Sequence, residues 1–549
     1  MRRRICSKSK PAALTGVPTN KPPQSVVRRR PAAQVGDGVP TQQPAKCPRM
    51  LELLGQCEME VARPQSDTLG PGKANYVCQT TSILSELAQG VVDDLPELHH
   101  QQLRENLGAL EDCGATVGSI FSGSDLAWWA FQAFLVAALG PYAVLALRPV
   151  MAVERVPWKR QYLRRNHTKL EHLFGDAEQL QDSTGFCYIE EAHVAWPHCT
   201  FLSLGSSCKD FSTLKDPRHG DASRAVLNSE GSSGSTIRYA MAYIANHRPV
   251  ILLLENVVGL FKGFLKRNAV TWRMVEDVYS NLALLLDFLR SCGYCAPATI
   301  LNPSPRLPVN RRRAWLPCFA MPQCGKSVAQ HTHDGLVQQV NQLLQEVQAH
   351  ISANISLDRA FMSAHTPEYE YWANKAVEGA AGSADKTGTA KWRRLHEKLF
   401  RKAGLEYPCA FSTKMLELAQ RAGMTQREAE IVFYYDRVQP MAQTHVEEML
   451  LDLSQNLHRC RANVKDAVPC ITPCSRFWKR RQRWWLLAPE TMRIQGLDPC
   501  LIPNLHEFSH RQIIDLMGNA FNAASYLTAL AVECVTVSIV DLKSLRLNV

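Results

Sequence analysis

Away from its first fifty residues the sequence has almost no net charge. The chain of 549 residues carries a formal +11, but residues 1–50 hold eleven Lys and Arg against one acid, Asp37. The remaining 499 residues therefore carry +1, and bulk charge gives no reason to expect the folded body to bind polyanions. A disulfide framework is also missing: the 18 cysteines are scattered, and no apolar run follows the basic start, so no secretory leader is expected. Free thiols in a reducing compartment follow. Two close pairs exist, Cys292/Cys295 and Cys470/Cys474, but neither has a second pair at finger-like spacing, so no metal site is expected. Long hydrophobic runs are nearly absent. The exception, Leu126–Leu147, is uncharged for 22 residues, yet Gly140-Pro141 breaks it after about four helical turns. A buried helix followed by a buried strand is expected there, with no membrane partner. With 46% hydrophobic and 21% charged residues, wholesale disorder and a collagen-like repeat are excluded.

What remains divides into five stretches. Residues 1–49, with eight prolines and two Arg-Arg-Arg clusters, read as an unfolded basic tail. Such tails serve as import signals, nucleic-acid arms or transit peptides. A nuclear location is the expectation, with an organelle as the alternative. Residues 50–112 read as a helical preface, with helices near Met50–Val61 and Ser82–Leu110. Residues 113–325 alternate apolar strands with helices, the pattern of a parallel α/β sheet. Residues 326–470 read as a mostly helical insert. Within it Thr425 and Glu428 form a capping box, compatible with a helix-turn-helix or an ordinary helical hairpin. The α/β pattern returns over 471–549.

Several residues fall where chemistry is done. In SIFSGSDL a strand runs through Phe121 and Gly123 into a helix, a turn that lets a ligand approach the backbone and the helix N-terminus. The next strand ends at Glu154, where a nucleoside's ribose hydroxyls are held in such folds, and Asp176 follows at the third strand end. In CTFLSLGSSCKDF a strand delivers Cys208 into a polar turn beside Lys209, whose charge would favour a thiolate. The strand PVILLLENVV leads into Glu255, a carboxyl at a strand's carboxyl edge, where partial desolvation raises the pKa. In LPVNRRRAW, Arg311 and Arg313 alternate along an extended segment and point to one face. The basic-aromatic run SRFWKRRQRWW suits phosphates and stacked bases, with burial in a core strand the equal alternative for its tryptophans.

Taken in order, these blocks resemble the DNA (cytosine-5) methyltransferase family. SIFSGSDL is similar to its cofactor loop, Glu154 with Asn166 to its second motif, and Asp176 to its third. Gly205–Ser212 is similar to the block of the nucleophilic cysteine, LLENVVGL to the Glu-Asn-Val motif and LPVNRRRAW to the Gln-x-Arg-x-Arg motif. PETMRIQGLD and GNAFNAA resemble the last two. The likeness covers about 115–325 and 470–535, and 326–470 falls where the family carries target recognition.

The resemblance implies a Rossmann-like class I methyltransferase domain that uses S-adenosylmethionine. The cofactor would be held by Phe121, Gly123, Glu154, Asp176 and Asn519. A cytosine flipped from duplex DNA would meet Cys208 as nucleophile and Glu255 as acid, with Arg313 on the base oxygen and Arg311 positioning the pocket. The same chemistry on RNA is a second implication. A third is an impaired member that binds nucleic acid and recruits partners. The departures are Ser207 for proline, Lys209 for glutamine, Val309 for glutamine, and Asp125-Leu126 where further glycine is usual. The oligomeric state is not implied.

Overall fold

Helix caps and proline breaks divide the start of the folded chain. The computed structural model describes residues 82–536, except 113, 142–146, 213–224, 229–230, 263–264, 268–273, 277–279, 305, 322–325, 379–388, 409–412, 441–448 and 461–466. The basic tail and the helix expected at Met50–Val61 lie outside the described residues. Ser82–Leu110 divides into α1 (Ile83–Asp93) and α2 (Glu97–Asp112), because the residue before Pro96 is disfavoured in helical conformation. Ser82 caps α1, and Asp498, far away in sequence, accepts hydrogen bonds from Ser82 Oγ at 2.6 Å and Leu84 N at 3.0 Å. A carboxylate at a helix N-terminus stabilises it through the exposed N–H groups and the dipole.

The body follows as β1 (Thr116–Ile120), α3 (Leu126–Leu139), β2 (Arg148–Val153), α4 (Pro157–Asn166), β3 (His172–Phe174), β4 (Thr184–Cys187), β5 (Ala192–Ala195) and β6 (Phe201–Gly205). Next come α5 (Ala225–Asn228), α6 (Gly231–His247), β7 (Ile251–Val257), a small hairpin of β8 (Leu265–Arg267) and β9 (Met274–Glu276), and α7 (Asn281–Ser291). The strands β10 (Tyr294–Cys295), β11 (Thr299–Leu301) and β12 (Arg313–Ala320) complete it. The main sheet has the order β10-β12-β7-β6-β1-β2-β3-β4-β5, with β11 also on β12. β7, β6, β1, β2 and β3 run parallel, and β12 lies antiparallel on β7. The strand order reverses between β1 and β6, which opens a crevice at their carboxyl ends. This is a Rossmann-like α/β sheet.

Alternation along the strands fills both faces. Phe201 of β6 packs with α1 and α3, while Leu202 and Leu204 pack with α6 and α7, as the two-residue period of a strand requires. The uncharged stretch from Leu126 is the buried helix α3. Among the described residues no helix is long and apolar enough to cross a membrane.

Then come α8 (Lys326–Ala349), α9 (Leu357–Ala360), α10 (Pro367–Glu378), α11 (Thr389–Lys402), α12 (Thr413–Arg421) and α13 (Gln426–Val438). A three-stranded sheet of β13 (Leu450–Asp452), β14 (Phe477–Lys479) and β15 (Trp484–Trp485) follows, then α14 (Ala488–Ile494), α15 (His510–Asn519) and α16 (Ala523–Thr536). α8 lies along α16, which itself packs beneath the main sheet. The expected Thr425–Glu428 capping box is present at the start of α13.

The basic-aromatic run is corrected here. Trp478, Lys479, Arg480 and Trp485 are all buried; Trp478 and Lys479 lie on β14, the central strand of the small sheet. Lys479 Nζ meets both oxygens of Glu490 at 2.8 and 3.0 Å. Arg480 bonds Asp436 and the carbonyls of Tyr435 and Gln439. Lys479 and Arg480 are therefore structural bolts, whereas Arg476 is half-buried and Arg481 and Arg483 are exposed.

Candidate active site

Strand register assembles the site. β6 pairs with β7 so that Gly205 faces Glu255, and β7 pairs with β12 so that Arg313 faces Val257. The loop after β6 carrying Cys208, the carboxyl of Glu255 and the start of β12 therefore share one end of the sheet. Arg313 Nε lies 3.0 Å from Glu255 Oε1, and both side chains are largely buried. Arg311 is buried and donates to the carbonyls of Ile471 at 2.6 Å, Ala520 at 2.8 Å and Gly518 at 3.2 Å. It thus ties the end of α15 to the segment that follows Val468. That segment is strapped to the arginine strand by a parallel bridge between Val309 and Val468. The position where the family has glutamine is here a buried ladder residue.

The electrostatics follow from burial and these two guanidiniums. Burial pushes the Glu255 carboxyl up, against the pull of Arg313 and Arg311. Burial and the Glu255 charge push the Cys208 thiol up, again opposed by Arg313 and Arg311. Lys209 is exposed and is not among the charges acting on the thiol, so the expectation that it favours the thiolate is corrected. Sequence reasoning also missed Cys470. Its Sγ lies 3.5 Å from Arg313 Nη2 and 3.7 Å from Arg311 Nη1. Burial raises this thiol, but the two arginines outweigh that and hold it below its ordinary value. Only the spacing Cys-Ile-Thr-Pro-Cys drew attention to it, and spacing alone does not reveal paired arginines.

The proline missing before Cys208 has a replacement. Ser207 N donates to Thr236 Oγ1 at 3.3 Å, and Asp210 and Ser233 of α6 exchange bonds of 2.8 and 2.9 Å. Asn256 holds Ser206 Oγ at 2.8 Å from the other side. Hydrogen bonds to the start of α6 and the end of β7 fix the loop that a ring would otherwise stiffen.

Two other predicted residues, Gly123 and Glu154, meet where β1 and β2 end. Gly123, at φ +55°, donates its N–H to Glu154 Oε2 at 3.1 Å, and Val156 N donates to Glu154 Oε1 at 2.8 Å. Phe121 and Asp125 also have positive φ, 61° and 48°, so the loop bends back on itself within five residues. Asp125 is buried. Its carboxyl is pushed up to about 7 by burial, against bonds from Ser119 and the Trp128 amide. Asp176 follows β3 and accepts from Glu178 N at 3.1 Å. Asn519, at the end of α15, is exposed and bonds Asp515 of its own helix. Asn166 sits elsewhere: it is buried at the end of α4, where its carbonyl accepts from Asn504 N at 3.1 Å. The two C-terminal blocks lock together through Asn522 and Gln495, 3.0 Å apart. A Cβ on Gly518 would lie 2.1 Å from Pro473 N, so only glycine lets α15 approach the segment after Ile471. Among the described residues one group has metal-ligand geometry: His172, Cys187 and Glu190, around β3 and β4. Neither close cysteine pair is part of it.

A curated relative shares this body. The chain is similar to a DNA (cytosine-5-)-methyltransferase. That protein, DMT5 of Cryptococcus neoformans var. grubii, is 24% identical over an alignment of 424 residues that covers 71% of this chain. The chain spans 16% of the length of that methyltransferase. No protein-family model matches the chain. Among solved structures, the S. pombe Dnmt2 methyltransferase is 14% identical with a TM-score of 0.34, covering 76% of this chain and 98% of its own. The Entamoeba histolytica methyltransferase EhMeth is 8% identical with a TM-score of 0.39, covering 76% and 97%. The fold itself is read from the strand order above.

Proposed function

We propose that this chain transfers a methyl group from S-adenosylmethionine to C5 of a cytosine in DNA, through a covalent adduct with Cys208. The observation that carries this reading is the convergence of Cys208, Glu255, Arg311 and Arg313 at one end of the sheet, with Arg313 and Glu255 3.0 Å apart. A cytosine has to leave the stack to reach such a pocket, because C5 and C6 are inaccessible within a duplex.

The charges suggest how the thiol is activated. Glu255 raises the pKa of Cys208, so the pocket holds one negative charge more readily than two. The reactive state has Glu255 protonated and Cys208 as thiolate, with Arg311 and Arg313 balancing the single charge. The thiolate adds to C6, the ring electrons move toward N3, and Glu255 gives its proton to N3. Arg313 donates to the base oxygen O2. C5 then carries the electron density needed to accept a methyl group. The C5 proton passes to water, the Cys208 sulfur departs as thiolate, and N3 returns its proton to Glu255, which restores the ring.

The crevice residues fit an adenine-nucleoside cofactor. Glu154 is a buried carboxylate whose oxygens keep lone pairs for ribose hydroxyls beyond their bonds to Gly123 and Val156, and Asp176 stands at the next strand end. Phe121 and Asn519 flank the loop and the end of α15. When bound, S-adenosylmethionine supplies the electrophilic methyl group.

Labelled methyl transfer to duplex DNA and to structured RNA, with Cys208→Ala as the blank, tests the reading. Label on DNA above the blank is the expected result; label on RNA alone moves the substrate to RNA. No label on either sinks the enzyme and favours a nucleic-acid-binding protein, a reading that the elevated Cys208 pKa favours. Nuclear residence remains a proposal that rests on the basic tail.

A further inference from the structure

A second cavity, of about 390 Å³, opens between the small sheet and α15. It is lined by Arg427, Arg476 and Arg511 and by one carboxylate, Glu428. Both oxygens of Glu428 are engaged: Oε1 takes Arg476 at 2.7 Å, and Oε2 takes Thr425 N and Oγ1 at 2.9 and 3.0 Å. Arg427 is anchored on the carbonyls of Gln455 and Leu453, at 2.7 and 2.8 Å, which fix it without neutralising it. The Arg476 guanidinium stacks on Trp485, 4.2 Å from the ring centroid. Arg511 is exposed and makes no hydrogen bond or ion pair to any described residue.

Two helices also end here. The N-cap of α13, Thr425, lines the cavity, as do His510 and Arg511 in the first turn of α15. Each helix start adds partial positive charge, although a capping box already engages its N-cap and third-residue N–H groups. The excess cation is felt inside: burial lowers the Arg476 pKa, and Arg511 and Arg427 lower it further. The half-buried His510 has an Nε2 without a hydrogen-bond partner among the described residues. A cavity with three guanidiniums, two helix starts and one committed carboxylate lacks an anion.

We infer that this cavity is a phosphate site that seats one phosphodiester of the nucleic-acid strand whose base enters the pocket at Cys208. Planar guanidiniums held in place match phosphate oxygens in fork geometry. The placement suits a strand. α15 has 10 residues and so is about 15 Å long; it runs from Arg511 at the cavity to Gly518, whose carbonyl holds Arg311. From Arg511 to Gly518 the rise is about 10 Å, which corresponds to roughly three steps of duplex rise. The inference rests on the proposed function for its strand, but its test reads binding and not methyl transfer.

The test uses the full chain with a fluorescent DNA duplex and a fluorescent RNA hairpin, titrated by anisotropy over a range of salt. Arg511→Ala removes an exposed side chain and leaves the fold intact. Arg104→Ala on α2, also exposed, is the control. In a plot of log affinity against log salt, Arg511→Ala is expected to reduce the slope on DNA by about one, with several-fold weaker binding at physiological salt. Arg104→Ala should leave the slope unchanged. In parallel, inorganic phosphate at matched ionic strength should raise the unfolding midpoint of the wild type more than that of Arg511→Ala. Protection by phosphate with an unchanged slope on both nucleic acids overturns the strand assignment and leaves a site for a free phosphate. No difference in either measurement overturns the site. A chain that transfers no methyl group yet shows the slope change keeps the site and loses the proposed function.

Discussion

The Glu255 charge raises the Cys208 pKa, and that one-way effect gives opposite outcomes for two measurements on one variant. Replacing Glu255 with glutamine removes the negative charge that opposes the thiolate. Alkylation of Cys208 by iodoacetamide near pH 7 should therefore be faster in Glu255→Gln than in wild type. Methyl transfer should fall by about 10²–10⁴-fold, the usual contribution of a general acid. Slower alkylation would show that the carboxyl does not govern the thiol. Much of this site was legible in the sequence, because Cys208, Glu255, Arg311 and Arg313 each sit at a strand end or in an alternating segment. What governs the thiol was less legible. Lys209 is adjacent in sequence but exposed, whereas Arg311 and Arg313 arrive from a strand about a hundred positions away. The place of Cys470 beside both arginines was hidden for the same reason, although its pairing with Cys474 was visible.

At the scale of elements, buried charges hold the segments that follow α8 to one another. Glu490 accepts from Lys479, from Leu487 N at 2.7 Å and from Met362 N at 3.0 Å, so one carboxylate joins β14, α14 and the turn after α9. Lys479→Met leaves that carboxylate buried without its cation and should cost about 3–5 kcal/mol, read from urea unfolding. Adding Glu490→Gln to it should recover part of the loss; no recovery would mean that the lysine acts through packing alone. The sequence showed SRFWKRRQRWW as basic and aromatic, but composition cannot say which way a strand faces. The partners Asp436 and Glu490 come from other elements, and only the fold reveals them. The parallel sheet, the buried α3 and the capped α13 were legible because periodicity, Gly140-Pro141 and Thr425/Glu428 are local signals. The cap that Asp498 places on α1 spans more than four hundred residues and has no local signal.

For the whole molecule, α16 carries a carboxylic acid through the centre. Glu533 is fully buried, and burial holds its pKa well above the ordinary value. A raised folded pKa means that the stability this group contributes is complete below the unfolded value, near 4.5. It is lost as pH rises from there toward the folded value. Glu533→Gln should therefore gain stability over wild type increasingly as pH rises above about 4.5, measured as chemical-unfolding midpoints across pH. A difference that does not vary with pH would show that the Glu533 carboxyl titrates as it does in the unfolded chain. The basic tail belongs to this scale as well. Removing residues 1–49 should weaken salt-sensitive nucleic-acid binding while turnover at saturating substrate stays near wild type, since the charge lies there and the candidate site does not. A large loss of turnover would place catalytic groups in the tail.

The most direct test of the central claim is covalent capture on duplex DNA carrying 5-fluorocytosine, in the presence of S-adenosylmethionine. Fluorine at C5 cannot leave as a proton does, so the sulfur adduct cannot resolve once the methyl group has been transferred. The proposed mechanism predicts a complex that survives denaturation in wild type, is absent in Cys208→Ala, and contains both DNA and methyl group. Capture that persists in Cys208→Ala, or methyl transfer to ordinary cytosine by that variant, would contradict it.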